Sequence, residues 1–434
     1  MLIATTLNNE NQETNNIVDC AAKVRDKTTK MSTTTAPAIN KRQTFTLASV
    51  VALTPFAIDT YLPAIPTIAQ DLNTGIGITQ STVSVYLAGA AVGQFLGGPL
   101  SDLYGRKPIG IVGCIIFLIA SIFIAISSNI NEVLALRFVQ AIGGGAAGVI
   151  VGAMVRDTHS GKESAKMMAL IALIMMTAPL IAPAVGALIL KVGHWRHIFF
   201  GLAIYAAIAL SQLLLVIKSP APAPEKNKQN FAKHLFGSYA TVLSNVHAIP
   251  ILMCLGFCSA NLFVFLTTSP FVYMKYFGVS EQQFPLFFGA GVVGLMTMNR
   301  FNVLCLRRFQ PITLFKFGIV IQFMAVLAQY IYVSNFEVEL GPFLALLILN
   351  VSMLGFIGSN GIATYLEYFP KQAGTANALV GIWQFSLAGI AGVSVNWLHD
   401  DTLMPVASIM LASTGVGLLM IIFFAQGMQS NTAE

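Results

Sequence analysis

From residue 46 onward the chain reads as a succession of long apolar runs separated by short polar breaks. Twelve runs cover 46–69, 82–101, 109–127, 133–155, 166–190, 197–217, 247–273, 284–304, 313–333, 342–366, 373–396 and 403–425. Each is near the ~20 residues that an α-helix needs to cross the hydrocarbon of a bilayer. Backbone exposed to lipid must satisfy its own hydrogen bonds, so the runs predict an all-α integral membrane fold with twelve transmembrane helices. The longest internal break, 218–246, carries Pro220, Pro222 and Pro224, followed by Lys226, Lys228 and Lys233. It divides the chain into one six-helix bundle at 46–217 and a second at 247–426, with a short tail at 427–434.

Residues 1–45 are a different material, rich in Asn, Thr, Gln and Lys. They lack the continuous apolar stretch of a signal peptide or a span, and they predict a disordered cytoplasmic tail. Met31 offers a second start within it, so translation from Met1 or from Met31 stays open.

Composition agrees with the pattern: 56% hydrophobic and 10% charged residues, with a mean hydropathy of +0.74, are far from an ordinary soluble protein. Charge placement adds an orientation. Twenty of the 24 lysines and arginines fall in segments on the N-terminal side of the membrane, while Lys191, Arg196 and Lys275 lie on the other side and Arg137 lies within a span. By the positive-inside rule both termini are cytoplasmic. The net charge of +6 then reports topology and calls for no nucleic-acid partner. The five cysteines suggest no disulfide framework. Cys254 and Cys258, at i and i+4, read as helix packing rather than a metal pair, and no cofactor or metal is expected.

Asp59 stands in the middle of the first run, within Pro55-Phe56-Ala57-Ile58-Asp59-Thr60-Tyr61-Leu62-Pro63. An ionised carboxylate at the centre of a span costs about 2.5–3.5 kcal/mol on insertion scales, so it must face the bundle interior or a wet cavity. Pro63 cannot donate to the Asp59 carbonyl and weakens the helix at that point. Asp59 is thus a candidate proton carrier, the alternative being a carboxylate that only bonds a neighbouring helix. Arg137, in the fourth run, is the candidate counter-charge and shares a helix face with Gln140, Gly144 and Gly148. Its alternative is an arginine snorkelling to the lipid headgroups.

Gly89, Gly93 and Gly97 recur every four residues in the second run as a helix contact surface, with Tyr86 and Gln94 as candidate cavity residues beside them. Pro179, Pro183 and Gly186 mark one face of the fifth run. In the second half, Asn261, Phe263, Phe265, Asn360, Trp383 and Gln384 are candidate substrate contacts, each set against a packing role.

Several stretches carry a resemblance to a known family. The turn Gly98-Pro99-Leu100-Ser101-Asp102-Leu103-Tyr104-Gly105-Arg106-Lys107-Pro108 resembles motif A of the major facilitator superfamily, and the stretch around Arg137 resembles its motif B. The stretch Ala178-Pro179-Leu180-Ile181-Ala182-Pro183-Ala184-Val185-Gly186-Ala187 resembles motif C, with Ala187 where the family often has glycine. The combination of Ile58-Asp59-Thr60-Tyr61-Leu62-Pro63-Ala64-Ile65-Pro66, the motif A turn, Arg156-Asp157, Ser359-Asn360-Gly361 and the segment 369–376 is similar to the bicyclomycin and chloramphenicol resistance (Bcr/CflA) drug:proton antiporters. The motif A counterpart between Arg300 and Arg308 is degenerate.

That resemblance implies the major facilitator fold, a cytoplasmic conformational latch at Gly98, Asp102, Gly105, Arg106 and Lys107, and proton transfer involving Arg137. It also implies the antiporter branch, through Pro179, Pro183 and Gly186. The function expected is proton-coupled efflux of amphipathic drugs by alternating access in a bacterial inner membrane. Protons, a small-molecule substrate and the lipid bilayer are its partners, and Tyr86, Gln94, Gln140, Asn261, Phe265, Asn360, Trp383 and Gln384 are its substrate contacts in a monomeric chain. The alternative is a dedicated exporter of one natural product, such as a siderophore or an amino-acid derivative. A membrane-embedded enzyme fits less well, because His159, His194, His197, His234, His247 and His399 sit in loops or at span edges. No phosphate-binding loop of the Gly-x-x-x-x-Gly-Lys-Ser/Thr form occurs, so the chain is not expected to drive transport with ATP by itself.

Overall fold

The structure is a computed structural model and describes residues 41–158, 161–217, 237, 239–370 and 372–424. The tail to residue 40, the proline and lysine run of the central linker, and the tail 427–434 lie outside the described residues. No strand occurs among the described residues, and their helices follow the apolar runs closely. The described residues from Gln43 onward belong to one compact unit.

The first span is discontinuous. Helix α1 (Lys41–Asp59) stops at the carboxylate, a 3₁₀ turn occupies Leu62–Ala64, and α2 (Ile65–Asp71) completes the crossing. Pro63 and Pro66 stand in the first turns of the two segments that follow the break, where a missing N–H is least costly. Then come α3 (Ile76–Tyr104), α4 (Arg106–Ile126), α5 (Ile130–Thr158), α6 (Gly161–Val192) and α7 (Trp195–Val216). The second half holds α8 (Ile249–Pro270) with a π turn at Phe271–Tyr276, α9 (Phe284–Cys305), α10 (Pro311–Asn335), α11 (Leu340–Ser352), α12 (Leu354–Glu367), α13 (Ala373–Trp397) and α14 (Met404–Phe424).

Eleven helical stretches among the described residues are long and apolar enough to cross a membrane. The twelfth expected span is α9, whose 22 residues would reach ~33 Å. Its polar end, Thr297 with Asn299, Arg300 and Asn302, lowers its mean hydropathy. Two boundaries differ from the apolar pattern. Helix α1 begins at Lys41, five residues before the apolar run, and the end of the central linker is packed, with Val242 buried among residues of the second half.

Within the first half α3 and α4 pack on α5, and α4 on α7. Gly89, Gly93 and Gly97 do what their spacing predicts. A Cβ at any of them would fall within 2.4–2.6 Å of backbone atoms at Phe138, Ile142 or Ala146 of α5. In the second half α8 packs on α13 and α14, and α10 on α14 and α12. The halves meet through α3 against α13 and α6 against α9. The first of these seams also runs on small residues, with Gly389 facing Ala88 and Gly392 facing Ser84.

Candidate functional site

The break in the first span turns Asp59 toward the seam between the halves. There it borders a cavity of about 320 Å³, within the range of small-molecule sites. Thr54, Pro55 and Ile58 line it from α1, and Met175, Met176 and Pro179 from α6. From the second half come Leu262, Phe263, Phe265 and Leu266 of α8, Phe288, Val292, Leu295 and Met296 of α9, Val351 of α11 and Phe385 of α13. Asp59 is the only charged group in this lining, and Thr54 is the only other residue with a polar side chain. The Asp59 side chain is buried, and its Oδ1 has no hydrogen-bond partner among the described protein atoms. An ionised carboxylate so placed is costly, and a proton or a cationic ligand would relieve it.

Arg137 lies behind the first span, fully buried. Its guanidinium stands 4.3 Å from the ring centres of both Tyr61 and Tyr86. One nitrogen, Nη1, donates to the Ala57 carbonyl at 3.1 Å and to Gln140 Oε1 at 2.7 Å, and Gln140 donates in turn to Ser121 Oγ at 2.7 Å. Among the described residues Arg137 and Asp59 form no direct ion pair, and the shortest bond from the guanidinium to the first span is the one to the Ala57 carbonyl. The bond to Ala57 holds α1 two residues before Asp59.

The proline face of α6 completes the break. A Cβ on Gly186 would stand 1.7 Å from the Thr60 carbonyl oxygen and 3.3 Å from the Pro63 ring. Glycine is therefore required for this approach, one residue beyond Asp59. Pro179 enters the cavity wall, and Pro183 is buried.

At one end of the molecule Gly105, with φ +97°, makes the tight turn between α3 and α4 that only glycine adopts without strain. Arg106 pairs with Asp102, reaches Asp157 of α5 at 3.3 Å, and donates to Ser101 Oγ at 2.6 Å. Lys107 donates to the Leu214 carbonyl of α7 at 3.0 Å. Gly98 lies in the last turns of α3 and has open space beside it. In the second half Arg300, Arg307 and Arg308 form no ion pair among the described residues, in keeping with a degenerate counterpart. At the opposite end the halves are bonded to each other. Thr67 donates to Glu281 at 2.7 Å, Asn396 donates to Ser81 at 3.1 Å, and Gly77 sits against the His399 ring.

Of the expected substrate contacts, Phe265 reaches the cavity, as does Phe263. Tyr86 and Gln140 belong to the Arg137 cluster, and Gln94 faces Gly381 across the seam between the halves. Asn360 donates to Asn302 at 2.7 Å, Gln384 to Ser259 at 3.0 Å, and Trp383 packs over Gly256. Asn261 is fully buried outside the cavity lining. Most of the lining, Thr54, Met175, Met176, Phe288, Met296 and Phe385 among it, was not marked as such by the sequence. Only the two methionines had a signal, one turn before Pro179 on the proline-marked helix.

The model of the Major Facilitator Superfamily matches residues 47–393. The chain belongs to that superfamily. It is a multi-pass membrane transporter and not an enzyme. A bicyclomycin resistance protein homolog of Haemophilus influenzae is 29% identical over 379 residues, covering 87% of this chain and 94% of the relative. The multidrug resistance protein MdtL of Escherichia coli is 28% identical over 397 residues, covering 87% and 94%. The fold is also that of a D-xylose-proton symporter, with TM-score 0.67 at 17% identity over 88% of this chain and 96% of the other. The xylose symporter XylE bound to 6-bromo-6-deoxy-D-glucose gives TM-score 0.70 at 15% identity over 89% and 95%.

Proposed function

We propose that this facilitator exports amphipathic small molecules, including drugs, in exchange for protons, with Asp59 as the proton carrier. The observation that supports this most directly is one carboxylate in an otherwise apolar cavity between two halves. Apolar walls bind bulky ligands by contact area, and methionines at 175, 176 and 296 adapt to different shapes, which suits loose specificity. Binding substrate against a deprotonated Asp59 and releasing it when the carboxyl takes a proton couples the two fluxes. The names of the bicyclomycin and multidrug resistance relatives point the same way.

Arg137 acts as a positioning residue in this scheme, fixing the α1 backbone next to the carboxylate. Gly186 lets α6 follow the break as it moves. Charge placement assigns the Thr67–Glu281 and Ser81–Asn396 contacts to the outer side, so this conformation is closed outward. The motif A turn then lies at the inner side, in a bacterial inner membrane with both termini cytoplasmic. There Arg106 biases which state is populated rather than touching ligand.

The test is efflux of a drug panel from an efflux-deficient bacterial host, with and without a protonophore. Uncoupler-sensitive export of several unrelated amphipathic compounds is the expected result. Export of a single natural product would select a dedicated exporter, and export indifferent to the uncoupler would remove proton coupling.

A further inference from the structure

The end of the central linker touches both halves. Residues 239–243 are helical and lead into α8 through a turn in which the His247 N–H donates to the Asn245 side chain at 3.2 Å. Between 239 and 247 only Tyr239 and Val242 are fully buried, three residues apart and so on one helix face. Val242 belongs to the second half, in an apolar cluster with Leu252, Ile319 and Ile357. Tyr239 lies against the first half, its ring centre 6.0 Å from that of Phe95 on α3. Burial, and after it the charge of Asp102, push the Tyr239 phenol above its ordinary range, in keeping with a place beside the motif A turn.

Phe95 moves with the first half. Gly93 and Gly97, on either side of it, hold α3 so close to Ile142 and Ala146 of α5 that no Cβ would fit between them. One short helix therefore grips one bundle through Val242 and the other through Tyr239, at the end where rocking of the halves displaces them most. The grip on the first half is a single pair of rings tilted at 34°, a contact that can part at low cost. An aromatic pair of this kind can shift a two-state equilibrium by roughly two- to tenfold.

We propose that Tyr239 and Phe95 form a strap between the bundles, made in this conformation and released when their inner ends part. Tyr239 is then a positioning residue: it sets how readily the inner side opens and touches neither substrate nor proton. The strap rests on the alternating-access reading above.

Nitroxide labels on Leu215→Cys, at the end of α7, and Phe309→Cys, before α10, report the distance between the inner ends of the halves, both positions being exposed. With Cys20 and Cys305 replaced by serine, the cysteines left, Cys114, Cys254 and Cys258, are buried. The full chain in lipid nanodiscs is measured by pulsed electron paramagnetic resonance. Tyr239→Ala and Phe95→Ala should each raise the ratio of the longer to the shorter distance at least twofold, and the double variant should go no further than either single. Tyr239→Phe keeps the ring and should match the parent. Tyr239→Leu, which keeps a buried apolar side chain, serves as a second ring-less variant, and circular dichroism confirms that each protein is folded. An unchanged ratio in folded Tyr239→Ala and Tyr239→Leu, additive effects in the double variant, or an equal rise in Tyr239→Phe would overturn the proposal. The measurement needs neither drug nor proton gradient, so its outcome is separate from that of drug export.

Discussion

Behind the cavity the first half is organised around a cation, whereas the second half is organised around neutral amides. Arg137, stacked between Tyr61 and Tyr86, gathers Gln140, Ser121 and the Ala57 carbonyl into one network. In the second half Gln322 donates weakly to the Cys258 and Asn350 carbonyls at 3.3 and 3.4 Å. The side-chain amides of Asn261 and Gln329 find no partner among the described protein atoms. Only Asp59 and Arg137 are charged and buried among the described residues, and both lie in the first half. The same division holds at the cavity: the first half supplies the carboxylate, and the second supplies most of the apolar wall, four phenylalanines included. Under the proposed function, the first bundle would handle the proton and the second would make most of the ligand contact.

The largest effect should come from removing the titratable group. Asp59→Asn keeps the volume of the side chain and should insert normally, while proton-driven uphill efflux falls to the background of a vector control. Transport measured in everted vesicles checks this, alongside expression level. Wild-type efflux in the variant would place proton handling elsewhere.

The hydrophobic pattern made the fold legible because lipid permits so few solutions, and Asp59 stood out because a carboxylate in a span is costly. The cavity wall was much less legible. Leu262, Val292 and Phe385 look in sequence like any apolar residue of a bundle, and only tertiary packing decides whether such a residue meets the cavity, a neighbouring helix or lipid. The same limit explains Asn360 and Gln384. Their polarity marked them as candidate ligand contacts, yet in this conformation Asn302 and Ser259 take up that polarity within the second half.

Gly186→Ala comes next in size. Its Cβ cannot coexist with the Thr60 carbonyl at 1.7 Å, so α6 must move away from the break. Overpacking of this kind costs roughly 1–3 kcal/mol, and a lower unfolding midpoint should accompany a loss of transport of at least tenfold. An unchanged midpoint with full activity would show that the two spans separate freely.

Phe265→Ala should act on the other side of the division. It removes a ring stacked 5.2 Å from Phe288 in the cavity wall and should change apparent affinity several-fold, differently for different substrates. The protonophore sensitivity of the remaining transport should stay as in the wild type. An equal loss for every substrate together with lost uncoupler sensitivity would merge the two roles that the halves divide.

The smallest effect is expected at Asp401, in the connection after α13. Its carboxyl is held below the ordinary range by the hydrogen bond and charge of Lys275, with His399 adding to the effect. A carboxyl lowered in the folded state contributes stability above its unfolded value near ~4 and loses it only as pH falls through the lowered folded value. Asp401 therefore stays ionised throughout the neutral range, and Asp401→Asn should leave the pH profile of transport between about pH 6 and 8 unchanged. A displaced profile would bring a second carboxyl into the coupling.

Proton release on substrate binding tests the central claim most directly. Purified protein in weakly buffered solution near neutral pH, mixed with a transported drug and followed by a pH-sensitive dye, should release protons from the wild type and none from Asp59→Asn. The variant must still bind drug by an independent measurement such as tryptophan quenching or calorimetry. Equal proton release from wild type and Asp59→Asn would contradict the account.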